Sequence, residues 1–494
     1  MAKMPSPSVT VKYTKLFING EFVDSVSGRT FETFDPRTGD SITSVAEATK
    51  EDVDVAVKAA RNAFDHGPWP RISGYERGRI MNKYADLVEQ HLEELAVLET
   101  LDSGKPLAGC QYYEIPEGIK GLRYYAGWAD KIHGLTLKMS GPYQGYTLQE
   151  PIGVVGQIIP WNAPLLMFFN KISPALACGC TIVIKSAEQT PLTAFYAAQL
   201  AKEAGIPPGV LNVLSGFGEI AGAAMSKHMD IDKISFTGST EVGRLIMEAS
   251  AKSNLKPVTL ELGGKSPLVI MDDADVEEAI KIAHMAVYAN MGQVCCAGSR
   301  VFVQEGIYDE FVKKAVERAK KQMIGDPFLP GVEHGPQIDK AQFDKILEYI
   351  EFGKKEKATL LTGGQIWGDR GFYIEPTIFC DVKDTMKIAQ EEIFGPVMSI
   401  LKFKSIEEVI ERGNKTMYGL AAGILTKNID VANRFSRALR VGVIWINCFL
   451  VIDKDCPFGG FKMSGIGRES CIQGLQSYLQ VKSVICPLQE SPWL

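Results

Sequence analysis

The sequence predicts an α/β protein built on parallel sheets, and three observations lead to this prediction. From about residue 152, short β-branched runs alternate with amphipathic stretches of helical length. A second block with the same alternation begins near residue 266. Glycine-rich turns near residues 264, 363–364 and 459–467 punctuate that second block. Such alternation is typical of βαβ units whose sheet is covered by helices on both faces.

The predicted elements follow one another along the whole chain. A short strand over Leu16–Phe22 precedes an N-terminal third that is predicted to be helical over 51–64 and 80–100. The first block has helices over 190–204 and 240–253 and strands over 152–159, 181–185, 210–215, 233–238 and 258–262. The second block has a helix over 276–290 and strands over 266–271, 301–303, 358–361 and 397–403. The tail 477–485 alternates like a strand that pairs with another domain or subunit, which favours an oligomer.

Composition and charge exclude several classes of protein. With 494 residues, 46 % apolar and 23 % charged, the chain has the composition of an ordinary globular protein of roughly three domains. Its 53 basic and 59 acidic residues give a net charge of −6, so no basic surface for nucleic acid is predicted. No apolar run is long enough to span a membrane, and the first residues resemble neither a signal nor a transit peptide. Ten scattered cysteines indicate reduced thiols, so we expect a cytoplasmic protein.

Neither a metal site nor a serine-hydrolase site is predicted. The six histidines stand far apart, and no histidine or cysteine pair has the spacing of zinc ligands. The G-x-S-x-G turn of the serine hydrolases is absent from the sequence.

Two glycine-rich turns are candidates for binding a nucleotide. The first, Gly216–Ala221, formally matches the G-x-G-x-x-A dinucleotide fingerprint, and the second is Gly238–Gly243. Each follows a strand-like run and opens a helix-like one, so its backbone N–H groups could face phosphate. Spacing alone favours the first turn, although either could be an ordinary strand–helix connection.

Cys295 and Glu261 are the candidates for covalent chemistry. Cys295 follows a Gly-Gln turn at the end of a helical run, and Glu261 ends a strand before two glycines. A buried inert thiol and a solvent-facing glutamate are the ordinary alternatives. A thiolate and a carboxylate brought together would suit nucleophilic catalysis with a general base.

Seven motifs together resemble the aldehyde dehydrogenase superfamily from end to end. They are IIPWN (158–162), Lys185 with Glu188, FTGSTEVG (236–243), LELGGKSP (260–267), GQVCCAG (292–298), EEIFGPV (391–397) and PFGGFKMSG (457–465). Within the superfamily the chain is most similar to the class 1/2 enzymes and to their plant cytosolic hydroxycinnamaldehyde branch, whose SPWL-type ending it shares. The resemblance implies a Rossmann-like cofactor domain, an α/β catalytic domain and a small β oligomerisation arm.

The resemblance also implies the reaction and its catalytic residues. Cys295 matches the nucleophile that forms a thiohemiacetal and then a thioester, Asn162 matches the oxyanion donor, and Glu261 matches the base that activates water. The cofactor would be NAD, with NADP as a weaker alternative because Glu188 would repel a ribose phosphate. The family places pyrophosphate at Gly238–Gly243 and not at the first glycine turn. The matching cofactor residues are Ile158, Ile159, Pro160, Trp161, Lys185, Glu188, Gly218, Phe236, Gly238, Ser239, Val242, Gly243, Leu262, Gln342, Lys345, Glu392 and Phe394.

The positions that match the substrate tunnel depart from the family pattern. Five of them, Ala163, Asn170, Met285, Ala289 and Ile452, replace aromatic residues that are common in class 2 enzymes. This predicts a wide tunnel for bulky aldehydes such as coniferaldehyde and sinapaldehyde, unless Phe168, Phe169 and Phe449 refill the space. Glu117, Asn170 and Asp453 are candidates for contacting a phenolic hydroxyl. The full set of predicted substrate residues is Ala163, Met167, Asn170, Met285, Ala289, Val294, Cys296, Ile452 and Phe458.

The resemblance further implies how the chain is divided and how it assembles. The NAD-binding domain would comprise 1–128 and 152–263, the catalytic domain 264–463, and the arm 129–151 with 464–494, joining subunits into a homotetramer. Three other functions remain open: a terpenoid or other aliphatic aldehyde dehydrogenase, a CoA-acylating relative, and a catalytically silent scaffold. Glu261 speaks against the acylating relative, and the presence of Cys295 and Asn162 speaks against the silent scaffold.

Overall fold

The computed structural model describes residues 9–489 and contains two large sheets and two small ones. The eight-stranded sheet has parallel strands at its centre and antiparallel strands at its edges. In spatial order its strands are Gly465–Ile466, Val258–Glu261, Lys233–Thr237, Val154–Ile158, Thr181–Ser186, Leu211–Ser215, Leu16–Ile18 and Glu21–Val23. The predicted first α/β block is therefore confirmed as a parallel sheet.

The seven-stranded sheet contains the second α/β block. Six of its strands are parallel, and only the edge strand Thr359–Thr362 runs antiparallel. In spatial order the strands are Thr359–Thr362, Thr377–Cys380, Val397–Phe403, Arg300–Gln304, Pro267–Ile270, Ala421–Leu425 and Val443–Ile446. They are rich in valine and isoleucine, and three of them, Pro267–Ile270, Thr377–Cys380 and Ala421–Leu425, are buried along their whole length, as strands covered on both faces are.

Helices surround both large sheets. Their apolar stripes pack into three cores, one around the first sheet and two on the second. Helices of eight or more residues are Lys50–Asp65, Gly74–Gln90, Leu92–Ser103, Ile115–Trp128, Pro164–Cys178, Leu192–Ala204, Thr240–Ala251, Val276–Tyr288, Tyr308–Lys320, Lys340–Lys355, Ile406–Asn414 and Ile429–Ala438. Shorter helical segments are Leu107–Gly109, Cys110–Glu114, Gly218–Gly222, Ala223–Lys227, Ala289–Gly292, Glu305–Ile307, Lys387–Gln390, Lys462–Ser464 and Cys471–Gln476. None of the helices within residues 9–489 is both long and apolar enough to cross a bilayer.

The N-terminal strand prediction is wrong in detail. The segment predicted as one strand is a hairpin of Leu16–Ile18 and Glu21–Val23, because Asn19 and Gly20 adopt positive φ angles of 53° and 82°. An Asn-Gly pair is a strong hairpin signal. A second hairpin, Thr30–Phe34 with Ser41–Ala46, is also absent from the prediction.

The C-terminal strand has its partner within the same chain. Leu479–Pro487 pairs antiparallel with Tyr143–Pro151 over nine residue pairs, and Thr136–Lys138 completes a three-stranded sheet. The tail is therefore a strand, as predicted. The SPWL ending, like the first eight residues, lies outside the described residues.

Candidate active site

The strand order of the eight-stranded sheet reverses at its centre. Val154–Ile158 is followed in the chain by its neighbour Thr181–Ser186 on one side, whereas Lys233–Thr237 lies on its other side and continues outward. Ligands of open parallel sheets bind outside the carboxyl ends of the strands at such a reversal. Two groups of predicted cofactor residues follow these carboxyl ends, Ile158, Ile159, Pro160 and Trp161 on one strand and Phe236, Gly238, Ser239, Val242 and Gly243 on the other.

The helix Thr240–Ala251 points its N-terminus into this reversal. Ser239 is its N-cap and accepts a hydrogen bond from the Val242 N–H at 3.2 Å. A β-carbon on Gly243 would lie 2.8 Å from Leu262 Cδ2, so the glycine allows the helix to pack closely on the following strand. Free N–H groups at a helix N-terminus suit a phosphate group.

The first glycine turn lies elsewhere. Gly216 follows the strand Leu211–Ser215, which is two strands away from Val154–Ile158 in the sheet. The turn continues into the π-helical segment Gly218–Gly222 and then a helix of only five residues, Ala223–Lys227. The formal fingerprint therefore lacks the strand reversal and the long helix that make such turns phosphate sites.

Lys185 and Glu188 lie at the carboxyl end of the next strand. Lys185 Nζ is 3.4 Å from Glu188 Oε2 and donates to the Ser186 carbonyl at 2.9 Å. Burial lowers the pKa of Lys185. The Glu188 side chain is 31 % exposed, so its carboxylate remains open to a hydroxyl-bearing ligand.

The opposite wall comes from the part of the chain that contains the second sheet. Gln342 Nε2 donates to the Phe394 carbonyl at 2.7 Å, and the Phe394 ring meets the Trp161 ring edge to face at 5.3 Å. Glu392 Oε1 accepts from the Gly264 N–H at 3.0 Å, and burial raises the pKa of Glu392 to about 7. Lys345 is close enough to influence Glu392, and its own pKa is lowered by burial.

The residues present fit a dinucleotide. A crevice between the two sheets offers a helix N-terminus, a lysine–glutamate pair and the Trp161–Phe394 aromatic pair. Within residues 9–489, two buried atoms have no hydrogen-bond partner: Thr237 Oγ1, at the end of the strand Lys233–Thr237, and Lys265 Nζ, which is close enough to Glu392 to interact with its charge. Burial also lowers the pKa of Lys265 to about 7.

A left-handed turn places Cys295. The helix Val276–Tyr288 ends in a short segment in which Asn290, Met291 and Gly292 have φ angles of 48°, 56° and 76°. A β-carbon on Gly292 would lie 2.1 Å from the Gly395 carbonyl oxygen, so only glycine fits there. Cys295 emerges from this turn half-buried.

Asn162 and Glu261 both lie close to the turn that carries Cys295. Asn162 Nδ2 donates to the Gln293 carbonyl at 2.9 Å, which brings this amide beside the Cys295 loop. Glu261 is buried, and its Oε2 atom has no hydrogen-bond partner among residues 9–489. A β-carbon on Gly264 would lie 2.6 Å from the Cys295 carbonyl oxygen, so the glycine at this position lets the segment after Glu261 pack closely on the Cys295 turn. The strand-end glutamate is thus not a solvent contact.

The electrostatics of the site favour the neutral forms of both reactive groups. The hydrogen bond with the Cys296 thiol, together with burial, raises the pKa of Cys295. Burial and the nearby Glu469 carboxylate raise the pKa of Glu261 well above its usual range. Lys171 forms an ion pair with Glu469 and partly offsets this rise.

Two residues that hold the Asn162 backbone, Asn290 and Lys105, were not predicted from the sequence. Asn290 Nδ2 donates to the Asn162 carbonyl at 2.8 Å, and Lys105 Nζ donates to the same oxygen at 3.0 Å. Lys105 in turn pairs with Glu114. Asn290 could have been found, since asparagine tolerates left-handed backbone; Lys105 lies 57 residues away without a local signal.

The predicted tunnel residues come from three segments. Met167 and Asn170 lie on the helix Pro164–Cys178, and Ala163 is the residue just before it. Met285 and Ala289 lie at the C-terminal end of the helix Val276–Tyr288. Val294, Ile452 and Phe458 pack with Cys295 on the same core. Cys296 is 1 % exposed and therefore offers almost no surface to a ligand.

The three phenylalanines considered as space fillers are core residues. Phe168 and Phe169 are fully buried and meet edge to face at 5.5 Å. Phe449 is 1 % exposed and packs on Trp445 at 4.6 Å. Their side chains therefore fill the protein interior and not an open channel.

A crevice that fits a dinucleotide and adjoins a cysteine, a buried glutamate and an amide donor is the arrangement expected of an oxidoreductase. The sequence model of the Aldehyde dehydrogenase family matches residues 22–484. The chain belongs to the aldehyde dehydrogenase family, and it is an NAD-dependent enzyme that oxidises aldehydes.

Relatives and solved structures cover nearly the whole chain. "Aldehyde dehydrogenase family 2 member B4, mitochondrial" of Arabidopsis thaliana is 60 % identical over 99 % of this chain and 91 % of its own length. "Benzaldehyde dehydrogenase, mitochondrial" of Antirrhinum majus is 59 % identical over the same shares, 99 % and 91 %. The NAD⁺ complex of aldehyde dehydrogenase from Bacillus cereus has a TM-score of 0.95 at 51 % identity and covers 97 % of both chains.

These relatives correct one prediction. The expected cytoplasmic location is wrong, because it is contradicted by the mitochondrial designation of both plant relatives. Scattered thiols indicate a reducing compartment in general and do not distinguish the cytosol from other reducing compartments.

Proposed function

We propose that this aldehyde dehydrogenase acts on bulky aldehydes, with coniferaldehyde and sinapaldehyde as representative substrates. The observation that carries the proposal is the lack of aromatic side chains at five tunnel positions, Ala163, Asn170, Met285, Ala289 and Ile452. Because the neighbouring Phe168, Phe169 and Phe449 are buried in cores, they do not compensate for the missing rings. The benzaldehyde dehydrogenase of Antirrhinum among the relatives also supports an aromatic substrate.

The proposed mechanism uses the three residues that meet at the left-handed turn. The Cys295 sulfur attacks the aldehyde carbon, and the Asn162 amide and the Cys295 N–H hold the developing oxyanion. The residues of the crevice would hold NAD, which would supply the acceptor for the hydride. Glu261 then takes a proton from the water that hydrolyses the thioester and releases the acid, a role that fits the lack of a hydrogen-bond partner for its Oε2 atom among residues 9–489.

The cofactor residues have proposed roles as well. Ser239 and Trp161 would contact the pyrophosphate, Lys185 and Glu188 the adenosine ribose, and Glu392 and Phe394 the nicotinamide side. Glu188 favours NAD over NADP because its exposed carboxylate repels a ribose phosphate. Equal kcat/KM values with the two cofactors would contradict this preference.

The proposed division of the chain follows the sheets. The NAD-binding domain comprises 1–128 and 152–263, the catalytic domain 264–463, and the arm 129–151 with 464–494. The three-stranded sheet supports an oligomerisation role for the arm, since its strand Leu479–Pro487 exposes Val481 and Ile485 at 63 % and 60 %. The proposed assembly is a homotetramer built as a dimer of dimers.

A substrate panel tests the proposed function. NADH formation is measured with coniferaldehyde, benzaldehyde, acetaldehyde and an aliphatic terpenoid aldehyde, and we expect the highest kcat/KM for coniferaldehyde. Ala289→Phe should restore an aromatic wall and lower kcat/KM for coniferaldehyde while acetaldehyde turnover is kept. A wild-type preference for acetaldehyde would overturn the proposal, and a preference for the terpenoid aldehyde would favour the aliphatic alternative.

A further inference from the structure

Lys454 is a buried lysine next to the predicted tunnel wall. It lies in the loop between Ile452 and Phe458, two of the predicted substrate residues, and is 7 % exposed. Its Nζ atom donates to Asn170 Oδ1 at 3.0 Å. A lysine side chain is almost never fully buried unless its ammonium group is paired.

The acidic groups around Lys454 are engaged elsewhere. Glu117 is bonded to Lys120 at 2.5 Å, and Glu469 is paired with Lys171. Asp453 is exposed, and its Oδ1 atom accepts the Asp455 N–H at 2.8 Å. Among residues 9–489, the Lys454 ammonium group thus has a neutral amide oxygen as its single hydrogen-bond partner and no ion pair.

This arrangement leaves donor capacity unused in a buried position. An ammonium group carries three N–H donors, of which the Asn170 oxygen takes one. Burial lowers the pKa of Lys454, which is the expected cost of placing an unpaired cation out of water. An acceptor atom supplied by a ligand would remove part of that cost.

The position of Lys454 along the predicted tunnel determines which end of a substrate could accept a hydrogen bond from it. Asn162 lies just before the helix Pro164–Cys178, and Asn170 lies two turns further along it. The helical part of this separation, from Pro164 to Asn170, rises about 9 Å at 1.5 Å per residue. An aldehyde whose carbonyl is at Cys295 and Asn162 therefore reaches Lys454 only with its far end.

We propose that Lys454, held by Asn170, selects extended aldehydes that carry a hydrogen-bond-accepting oxygen at the end opposite to the carbonyl. This inference rests on the proposed function and narrows its substrate class. Phenolic and carboxylate oxygens share the required chemistry. Aldehydes with an apolar far end leave the Lys454 donors unsatisfied and are poorer substrates.

Three cinnamaldehydes of similar shape test the inference: the para-hydroxy, para-carboxy and para-methyl compounds. With the wild-type enzyme we expect a higher kcat/KM for the oxygen-bearing compounds than for the para-methyl compound. Lys454→Met keeps the apolar part of the side chain but removes the ammonium group and its donors. It should lower kcat/KM for an oxygen-bearing aldehyde roughly ten- to one-hundred-fold and leave the para-methyl compound unchanged or improved.

Lys120→Met is the matched control, because Lys120 is an exposed lysine paired with Glu117 beside the same loop. This variant should leave the order of the kcat/KM values for the three cinnamaldehydes unchanged. A loss confined to the carboxylate compound identifies an anionic far end, and a loss with both compounds identifies any acceptor oxygen. Equal effects of Lys454→Met on all three compounds, or none, would overturn the inference.

Two further results separate this inference from the proposed function. Lys454→Arg keeps a buried donor and should retain part of the preference, which a variant with a merely damaged fold would not. If the wild-type enzyme prefers acetaldehyde to every cinnamaldehyde, the proposed function fails. If it prefers cinnamaldehydes but does not distinguish their para groups, only the role of Lys454 fails.

Discussion

Cys295 and Cys296 are adjacent in the chain but occupy different environments. The Cys295 side chain is half-buried at the crevice, whereas Cys296 is 1 % exposed and packs in the core of the second sheet. Only the first thiol can therefore reach a substrate. The neighbouring residue is an internal control for any effect of removing a cysteine from this turn.

Cys295→Ala should abolish NADH formation and leave NAD binding intact. The reason is that no other thiol of the turn is open to the crevice. Turnover and NAD binding by fluorescence titration measure the two effects. Cys296→Ala should keep turnover and lose only about 1–2 kcal/mol of unfolding free energy through a small cavity. Full turnover by Cys295→Ala would contradict its role as nucleophile.

Glu261 is the group whose protonation should control hydrolysis. Since burial raises its pKa, the carboxylate form becomes more abundant as pH rises, and kcat should increase with pH through that pKa. Glu261→Gln should give a burst of about one NADH per site and then slow turnover, because the thioester is no longer hydrolysed. Stopped-flow absorbance measures the burst. Steady turnover with an unchanged pH profile would exclude Glu261 as the base.

The raised pKa of Glu392 predicts that the stability of the protein depends on pH. Its pKa is raised from 4.5 to about 7, so its neutral form stabilises the folded protein below pH 4.5. That contribution is lost as pH rises toward 7, because the folded state binds the proton more tightly than the unfolded state. Glu392→Gln should reduce the fall in unfolding free energy over this range by about 1–3 kcal/mol. Denaturant unfolding at several pH values measures the unfolding free energy, and the same dependence on pH in the variant and the wild type would contradict the prediction.

At the scale of elements, the connections decide the geometry of the site. The Cys295 turn needs three successive left-handed residues, and the two glycines after Glu261 let the chain pass both Glu392 and Cys295. A β-carbon on Gly263 would lie 2.2 Å from Glu392 Oε2. Glycines at these positions therefore allow the two halves of the site to pack against each other.

Gly292→Ala should damage both stability and turnover. The added methyl group would meet the Gly395 carbonyl, and its positive φ disfavours alanine. We expect a loss of at least 1–2 kcal/mol of unfolding free energy. Gly127→Ala is the control, since its β-carbon meets no atom within 4 Å and alanine favours a helix. Equal thermal stabilities of the two variants would contradict this account.

At the scale of the whole molecule, the three-stranded sheet stands apart from the two large sheets. One face of it carries the exposed apolar side chains of Leu137, Val481 and Ile485. Contiguous exposed apolar residues are typical of protein interfaces. The sheet also has two edge strands that could accept another strand.

Val481→Asp combined with Ile485→Asp should shift the assembly to smaller species. Buried carboxylates would oppose association, whereas the fold of one chain would be retained. Light scattering after gel filtration measures the mass, and circular dichroism checks the fold. Gln480→Asp, on the other face of the strand, is the control and should keep the assembly. A wild-type monomer at working concentration would refute the proposed tetramer.

The sequence by itself determined the α/β class, the parallel central strands and the family, because strand and helix periodicities and contiguous motifs are local properties. Cys295, Glu261 and Asn162 were predicted as catalytic residues in the same way, since each lies inside a short motif. The Asn19-Gly20 hairpin was missed although its signal is local.

Spacing alone favoured the first glycine turn, and only the resemblance pointed to Gly238–Gly243. The tertiary structure gave the physical reason, because a formal fingerprint does not reveal where strand order reverses. It alone showed that Phe168, Phe169 and Phe449 are core residues. It also brought Lys454 to Asn170, 284 residues away. Contacts between distant segments depend on how the sheets and helices pack, and no spacing in the sequence encodes them.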